Sequence, residues 1–395
     1  MREKTRKILS ATVIVGKEVE SSIPTRQNGE AYSLYFHVPF CTRKCDYCHF
    51  YVIPDRSSFK SSYMQALKQE WAYRFALLPK KGPLTIYFGG GTPSLLGPDK
   101  IGEILSWISV SKGVEITLEA NPETVSYELM KAYREVGINR ISLGVQSFDD
   151  SLLAQLSRTH RASDAIQAID AIERAQIHNL SIDLMYDLPG QSLASWEASL
   201  NQAVLLPITH LSLYNLTIEP HTVFYKKRET ITSQMPDPIT SFEMITSAVN
   251  ILETNGFKRY EISAFARDNL YSRHNLGYWA ERPFLGFGPS AFSFWGGSRF
   301  RNIAHLNRYC KALASGNDPV DFSETLSYKE SLKEQLAVGL RLIEGVPIQN
   351  WPAEIQLGID RLQHEGWVEN KDGHICLTAK GILFHDTVAE KIMEF

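Results

Sequence analysis

The chain has 395 residues, 44% hydrophobic and 22% charged, with a formal net charge of -3. These values fit a globular protein of two or three domains, or one large barrel with an appendage. They exclude a global electrostatic pull toward nucleic acid or an anionic membrane, and no apolar run approaches the roughly 20 residues that span a bilayer.

The chain opens with "MREKTRKILSATVIVGKEVE", basic at first and then briefly apolar. It lacks a long apolar region followed by a small-residue cleavage site. Residues 1–32 are therefore expected to form a peripheral arm of a cytoplasmic protein, with at most peripheral membrane contact. From residue 33 to about 265 a pattern repeats. The runs "SLYFHV", "LTIYFGG", "EITLEAN", "RISLGVQS", "LSIDLMYDLPG" and "LSLYNLTIEP" are dense in Ile, Leu, Val, Phe and Tyr, as buried parallel strands are. Helical stretches lie between them, such as "YELMKAYREVG" and "FEMITSAVNILETNG", closed by Gly137 and Gly256. Strand–helix alternation of this kind predicts an α/β fold, a partial (β/α)6-type TIM barrel over residues 33–305. Polar and glycine residues gather just after the strands: "CTRKCDYC", "GGGTPS", "EANPE", "QSF" and "DLPGQ". In parallel barrels that edge is the active face.

Beyond residue 300 the character changes. "YKESLKEQLAVGLRLIEGV" reads as an amphipathic helix. The following stretch reads helix, turn, two short strands around "KDG", then helix, a mostly helical, winged-helix-like domain expected over 306–395. Its charges are mixed, so it is not read as a DNA reader.

Five cysteines do not make a disulfide framework, and a reducing compartment fits them better. Cys41, Cys45 and Cys48 fall within eight residues, while Cys310 and Cys376 stand apart. Three thiols among Thr, Arg, Lys and Asp do not look like core packing. A structural zinc site wants four closed ligands. No second CxxC exists here, so His37 or His49 would have to complete it. The remaining reading is an iron–sulfur cluster, in which three thiolates leave one iron open to a small ligand. A cationic sulfonium ligand would want acceptors for its ammonium and ribose and glycine for close approach. "GGGTPS" and Glu119 meet those needs, with Gln146, Arg158 and Asp183 following.

The spacing Cys41-Thr-Arg-Lys-Cys45-Asp-Tyr-Cys48 resembles the cluster motif of the radical S-adenosylmethionine superfamily. That resemblance implies a 4Fe-4S cluster whose open iron chelates S-adenosylmethionine. An electron from the cluster can then cleave the sulfonium to a 5′-deoxyadenosyl radical. The wider pattern resembles the coproporphyrinogen dehydrogenase-like group, the HemN family, over roughly residues 33–395. In that group the places of Tyr35, Gly90 and Glu119 contact the cluster-bound S-adenosylmethionine. Those of Tyr47, Gly91, Thr92, Gln146, Arg158 and Asp183 contact a second molecule in the oxygen-independent oxidase.

The oxidase pattern carries another cysteine two residues after the third, where this chain has Phe50. "CHF" is closer to the "CDF" of HemW-type heme chaperones, and "RHNLGYWA" resembles their HNxxYW signature. The resemblance thus implies a heme chaperone that delivers heme to an apo-hemoprotein, with a respiratory protein as the candidate recipient. His274 and Trp279 are the candidate heme contacts, since imidazole ligates heme iron and aromatic faces suit a macrocycle, with His37 and His49, nearer the cysteines, as rival ligands. The stretch "PFLGFGPSAFSFWGG" is a further apolar wall or plain core. Arg259, Arg273, Arg282, Arg299 and Arg301 are candidate grips for propionates. The alternatives are an oxygen-independent coproporphyrinogen III oxidase and a radical methyltransferase or cyclopropanase. No nucleic-acid partner is expected.

Overall fold

The computed structural model describes residues 31–395. The expected arm is almost wholly outside them. Six strands follow one another along the chain: β1 (Ser33–Val38), β2 (Thr85–Gly90), β3 (Glu115–Ala120), β4 (Arg140–Gln146), β5 (Asn179–Tyr186) and β6 (His210–Asn215). Each pairs in parallel with the next. Helices connect them, and Gly137 and Gly256 do close their helices at positive φ.

The strands alternate cleanly between two faces. Leu34, Phe36, Ile86, Phe88, Ile116, Leu118, Ile141, Leu143, Leu180, Ile182, Leu211 and Leu213 face the helices in one continuous apolar core. The opposite face is polar. It carries Tyr35, His37, Tyr87, Glu119, Ser142, Asp183 and Ser212, joined by several mutual contacts.

The other strands of this twelve-stranded sheet are β7 (Lys258–Glu261), β8 (Ala264–Ala266), β9 (Phe284–Phe287), β10 (Phe292–Trp295), β11 (Ser298–Asn302) and β12 (Val320–Thr325). The full order is β12-β11-β10-β9-β1-β2-β3-β4-β5-β6-β8-β7, so the sheet stays open. β9 joins β1 on its free side, in parallel. The aromatic stretch considered as a heme wall is therefore sheet. Phe287 stacks on Phe36 and Leu285 is fully buried.

The expected boundary at 305/306 falls inside packed structure. Leu306, Tyr309 and Leu313 belong to the barrel core, and β12 extends the main sheet. A second apolar core begins at Leu332 and runs to Ile392. It contains the helix Tyr328–Gly339, shorter than its sequence pattern, the helix Ala353–His364, the hairpin Val368–Lys371 with His374–Leu377, and the helix His385–Met393. Backbone bonds Ile262 N–H to Arg341 (3.0 Å) and Ile343 N–H to Tyr260 (3.1 Å) join it to the barrel edge.

One buried ion pair locks the long helix Ser57–Arg74 to the other side of the sheet, around β9 and β11. The Glu70 carboxylate accepts from Gly288 N–H, Asn302 Nδ2 and the Tyr309 hydroxyl, at 2.8, 2.7 and 2.5 Å. Arg74, 3.2 Å from Glu70, donates to the Gly286 carbonyl and Asn302 Oδ1. Both side chains are essentially inaccessible. Removing one partner strands the other charge. Glu70→Ala should therefore cost about 3–5 kcal/mol in a denaturant melt. A loss below about 1 kcal/mol, the value of an exposed pair, would contradict this reading.

Candidate functional site

The C-terminal ends of all six parallel strands surround one cavity of about 470 Å³. Cys41, Cys45, Tyr47 and Cys48 line it from the loop after β1. Gly90, Gly91 and Thr92 come from β2, Glu119 and Asn121 from β3, Gly144 and Gln146 from β4, Asp183 from β5 and Tyr214 from β6. Arg158 reaches in from the segment after the helix Asp150–Gln155. Of the expected cofactor residues, only Tyr35, His274 and Trp279 are outside this lining.

The cysteine loop is pinned by backbone. Thr92 N–H donates to the Phe40 carbonyl (2.7 Å), Ile53 N–H to that of Pro39 (2.7 Å) and Asp55 N–H to that of Cys41 (3.0 Å). This close crossing explains the glycine triplet. Gly90 sits at φ +112, where a Cβ would lie 2.6 Å from the His37 ring, and a Cβ on Gly91 would lie 2.7 Å from the Phe40 carbonyl oxygen. Gly90 and Gly91 are thus required by the protein's own packing.

A polar belt ties two of the thiols together. Arg158 Nη1 lies 3.6 Å from Cys45 Sγ, and its Nη2 donates to the Gly144 carbonyl and to Asn121 Oδ1 at 2.8 and 2.9 Å. Asn121 Nδ2 donates to Thr92 Oγ1 (3.1 Å), which lies 3.4 Å from Cys41 Sγ. Burial pushes the Cys41 thiol up to about 11 and raises that of Cys48, so both need a metal to hold them as thiolates. Among the described residues no three Cys, His, Asp or Glu side chains converge on a single ion. Three thiols set apart in this way fit a cubane, each of whose thiolates binds a different iron.

Two carboxylates stand below the thiols. Glu119 accepts from the Tyr87 hydroxyl (2.8 Å) and from Gly90 N–H (3.0 Å). Burial, opposed by the Tyr87 bond and aided by Asp183, raises it to about 7. Burial likewise raises Asp183 to about 6, although Ser142 donates to it at 3.4 Å. The pull of Arg140 on both, and of Arg158 on Asp183, does not offset that burial. A sulfonium-bearing ligand would add positive charge, so the donor set fits S-adenosylmethionine. Gln146 holds a left-handed backbone (φ 67) at a register shift in β4, strain that aims its side chain into the cavity. Tyr35 lies one rung lower, its hydroxyl 3.1 Å from His37 Nδ1. Tyr87 and Asn121 were not singled out from sequence. Their signal was position alone, on inward rungs or just past a strand end.

His274 and Trp279 do not join the site. His274 is 1% exposed at the opposite end of the barrel. Its Nδ1 lies 2.8 Å from Thr85 Oγ1 and its Nε2 2.8 Å from the Tyr278 hydroxyl, so both nitrogens are engaged. Its ring stacks on Tyr87 at 4.8 Å, and its N–H donates to Glu115 at 2.9 Å. Burial lowers it to about 3. It forms part of the barrel floor. Trp279 lies under the Arg341 guanidinium, 4.4 Å from the ring, at the C-terminal module. Neither residue is part of the cavity lining. The five arginines expected to grip propionates also have protein partners: Arg259 with Ile262, Arg273 with Gly113, Arg282 with Ser33, Arg299 with Glu334 and Arg301 with Asp321. Cys310 and Cys376 are free thiols away from the cavity.

With this geometry in hand, comparison with known proteins is decisive. Residues 35–203 match the Radical SAM superfamily, and residues 326–384 match the HemN C-terminal domain. Heme chaperone HemW of Bacillus subtilis is 32% identical over 90% of this chain and 97% of its own length. Heme chaperone HemW of Buchnera aphidicola subsp. Schizaphis graminum is 39% identical over 92% and 98%. The chain belongs to the HemW family. Its fold is also that of HemN, the Escherichia coli coproporphyrinogen III oxidase, with a TM-score of 0.80 at 22% identity over 92% of this chain and 90% of that one. Radical SAM membership implies a 4Fe-4S cluster and S-adenosylmethionine.

The raised carboxyls give a pH test. In the free chain, Glu119 contributes stability that is full below the ordinary carboxylate range and is lost as pH rises through about 7. Binding a cation favours its ionised form. Affinity for S-adenosylmethionine should therefore fall as pH drops through about 7, by up to about tenfold per unit, with proton release on binding. Calorimetry in buffers of different ionisation enthalpy measures both. Glu119→Gln should flatten the dependence, and a profile unchanged by that substitution would contradict the assignment.

Proposed function

We propose that this protein is a heme chaperone, which binds heme and passes it to an apo-hemoprotein in the cytoplasm. Full-length likeness to proteins named heme chaperone HemW, at 32% and 39% identity, carries the reading. Phe50 supports it against the oxidase alternative, because the oxidase pattern resembles one with a cysteine there. No helix among the described residues is long and apolar enough to cross a membrane, so any membrane contact with a respiratory recipient would be peripheral.

Cys41, Cys45 and Cys48 would hold the cluster, which when bound supplies one electron and an open iron to S-adenosylmethionine. Glu119 and Asp183 would neutralise that ligand's positive charge, with the Gly90 amide orienting Glu119. Arg158 and Thr92 would hold the cysteine loop in register with the strand ends. The second set, Tyr47, Gly91, Thr92, Gln146, Arg158 and Asp183, lines the same cavity. The C-terminal module from about residue 326 would act as a separate unit.

The test is a hemin titration of the anaerobically reconstituted chain, followed by mixing with an apocytochrome. A saturable Soret band that moves to the apocytochrome is expected. Absence of heme binding, or decarboxylation of coproporphyrinogen III under reducing conditions, would overturn the reading.

A further inference from the structure

The rim of the cavity carries groups that neither the cluster nor S-adenosylmethionine needs. His49 is exposed there, and among the described residues lining the cavity it is the only histidine. Its ring makes no hydrogen bond or ion pair with a described residue. His37, His210 and His274 differ, since each has both ring nitrogens engaged. The His49 ring lies against Phe50, centroids 4.5 Å apart, and Phe50 is 53% exposed.

A second segment reaches the same rim. Phe224 N–H donates to the Asp46 carbonyl (3.0 Å), and the Phe224 ring packs near Tyr47. This bond fixes the start of the short helix Val223–Lys226 beside the cysteine loop. Tyr225 follows at 39% exposure, then Lys226, Lys227 and Arg228, all exposed. Arg43 lines the cavity from the cysteine loop. Arg43, Lys226 and Lys227 make no hydrogen bond or ion pair through their side chains with described residues. The acids near the rim are Asp46, Glu219 and Glu229. With Lys44 and Arg228 counted, the cations outnumber them.

Heme presents three things to a protein: an iron with axial positions, a flat apolar macrocycle, and two carboxylates on one edge. An imidazole, exposed aromatic rings and a group of unpaired cations answer these in turn. Resting on the heme-chaperone reading above, we propose that the cavity rim is the heme-docking face. His49 is the axial ligand, Phe50 and Tyr225 lie against the macrocycle, and Arg43, Lys226 and Lys227 face the propionates. The chaperone pattern has Asp at the place of His49, where this chain carries histidine. A heme held on the rim by one imidazole keeps its other face open for a recipient. It also leaves the carboxylate-lined part of the cavity free for S-adenosylmethionine.

The experiment titrates the reconstituted full chain with hemin and reads the Soret band, the low-spin ferric EPR signal, and iron and sulfide content. Wild type should bind one heme with a histidine-ligated spectrum. His49→Ala should weaken binding by roughly tenfold or more and lose that spectrum, and free imidazole should restore it. Lys226→Glu with Lys227→Glu, remote from the cysteines, should weaken binding while keeping the spectrum. This pair carries the test if His49→Ala lowers the cluster content. Wild-type spectra and affinity in both variants would overturn the rim assignment and leave the chaperone reading standing. A wild-type chain that binds no heme would overturn the chaperone reading itself.

Discussion

Arg158 is the joint on which the site depends. It links the Cys45 thiol to the Gly144 carbonyl and to Asn121, and through Asn121 and Thr92 the link continues to Cys41. A loop bearing three cysteines has no reason of its own to stay over a barrel mouth. β2 and β3 keep it there through Thr92 and Asn121, just past their ends, and β4 through the Gly144 carbonyl inside the strand. Hydrogen bonds in a buried setting are costly to leave unmade. The belt therefore fixes two thiols before any metal arrives, and turn geometry sets the third through Cys48 N–H to the Cys45 carbonyl.

The two faces of the sheet explain why one barrel can do this. The outer face is Leu, Ile, Val and Phe, and its burial against helices supplies the stability. The inner face is then free to be polar. At one end it presents Glu119 and Asp183 to the cavity. At the other, His274, Thr85, Ser33, Arg282 and Tyr278 close the floor with mutual hydrogen bonds. The same alternation of side chains yields a reactive mouth and an inert base. The HNxxYW segment belongs to the base.

Much of this was legible in the sequence. The six parallel strands, the helices closed by Gly137 and Gly256, the cysteine loop and the residues at the strand ends all follow from local pattern, and the structure brings them together as expected. What escaped were contacts between distant segments. Nothing local to "RHNLGYWA" says that His274 will meet Thr85 and Glu115, far away in the chain. Likewise, β9 pairs with β1 across some 250 residues, which an aromatic run cannot announce. The packing reason for the glycines also escaped, because what crowds Gly90 is the His37 ring, an inward residue of another strand. Charged residues were hardest. Five arginines looked free in sequence and are paired in the fold, while Lys226 and Lys227, unremarked there, remain open.

The central claim is that three thiolates hold a 4Fe-4S cluster and leave one iron open to S-adenosylmethionine. Mössbauer spectroscopy of the ⁵⁷Fe-reconstituted chain, with and without S-adenosylmethionine, addresses it most directly. One iron of the cluster should change its isomer shift on addition, while the others hold theirs. Spectra that are superimposable with and without the ligand, from irons all capped by side chains, would contradict it.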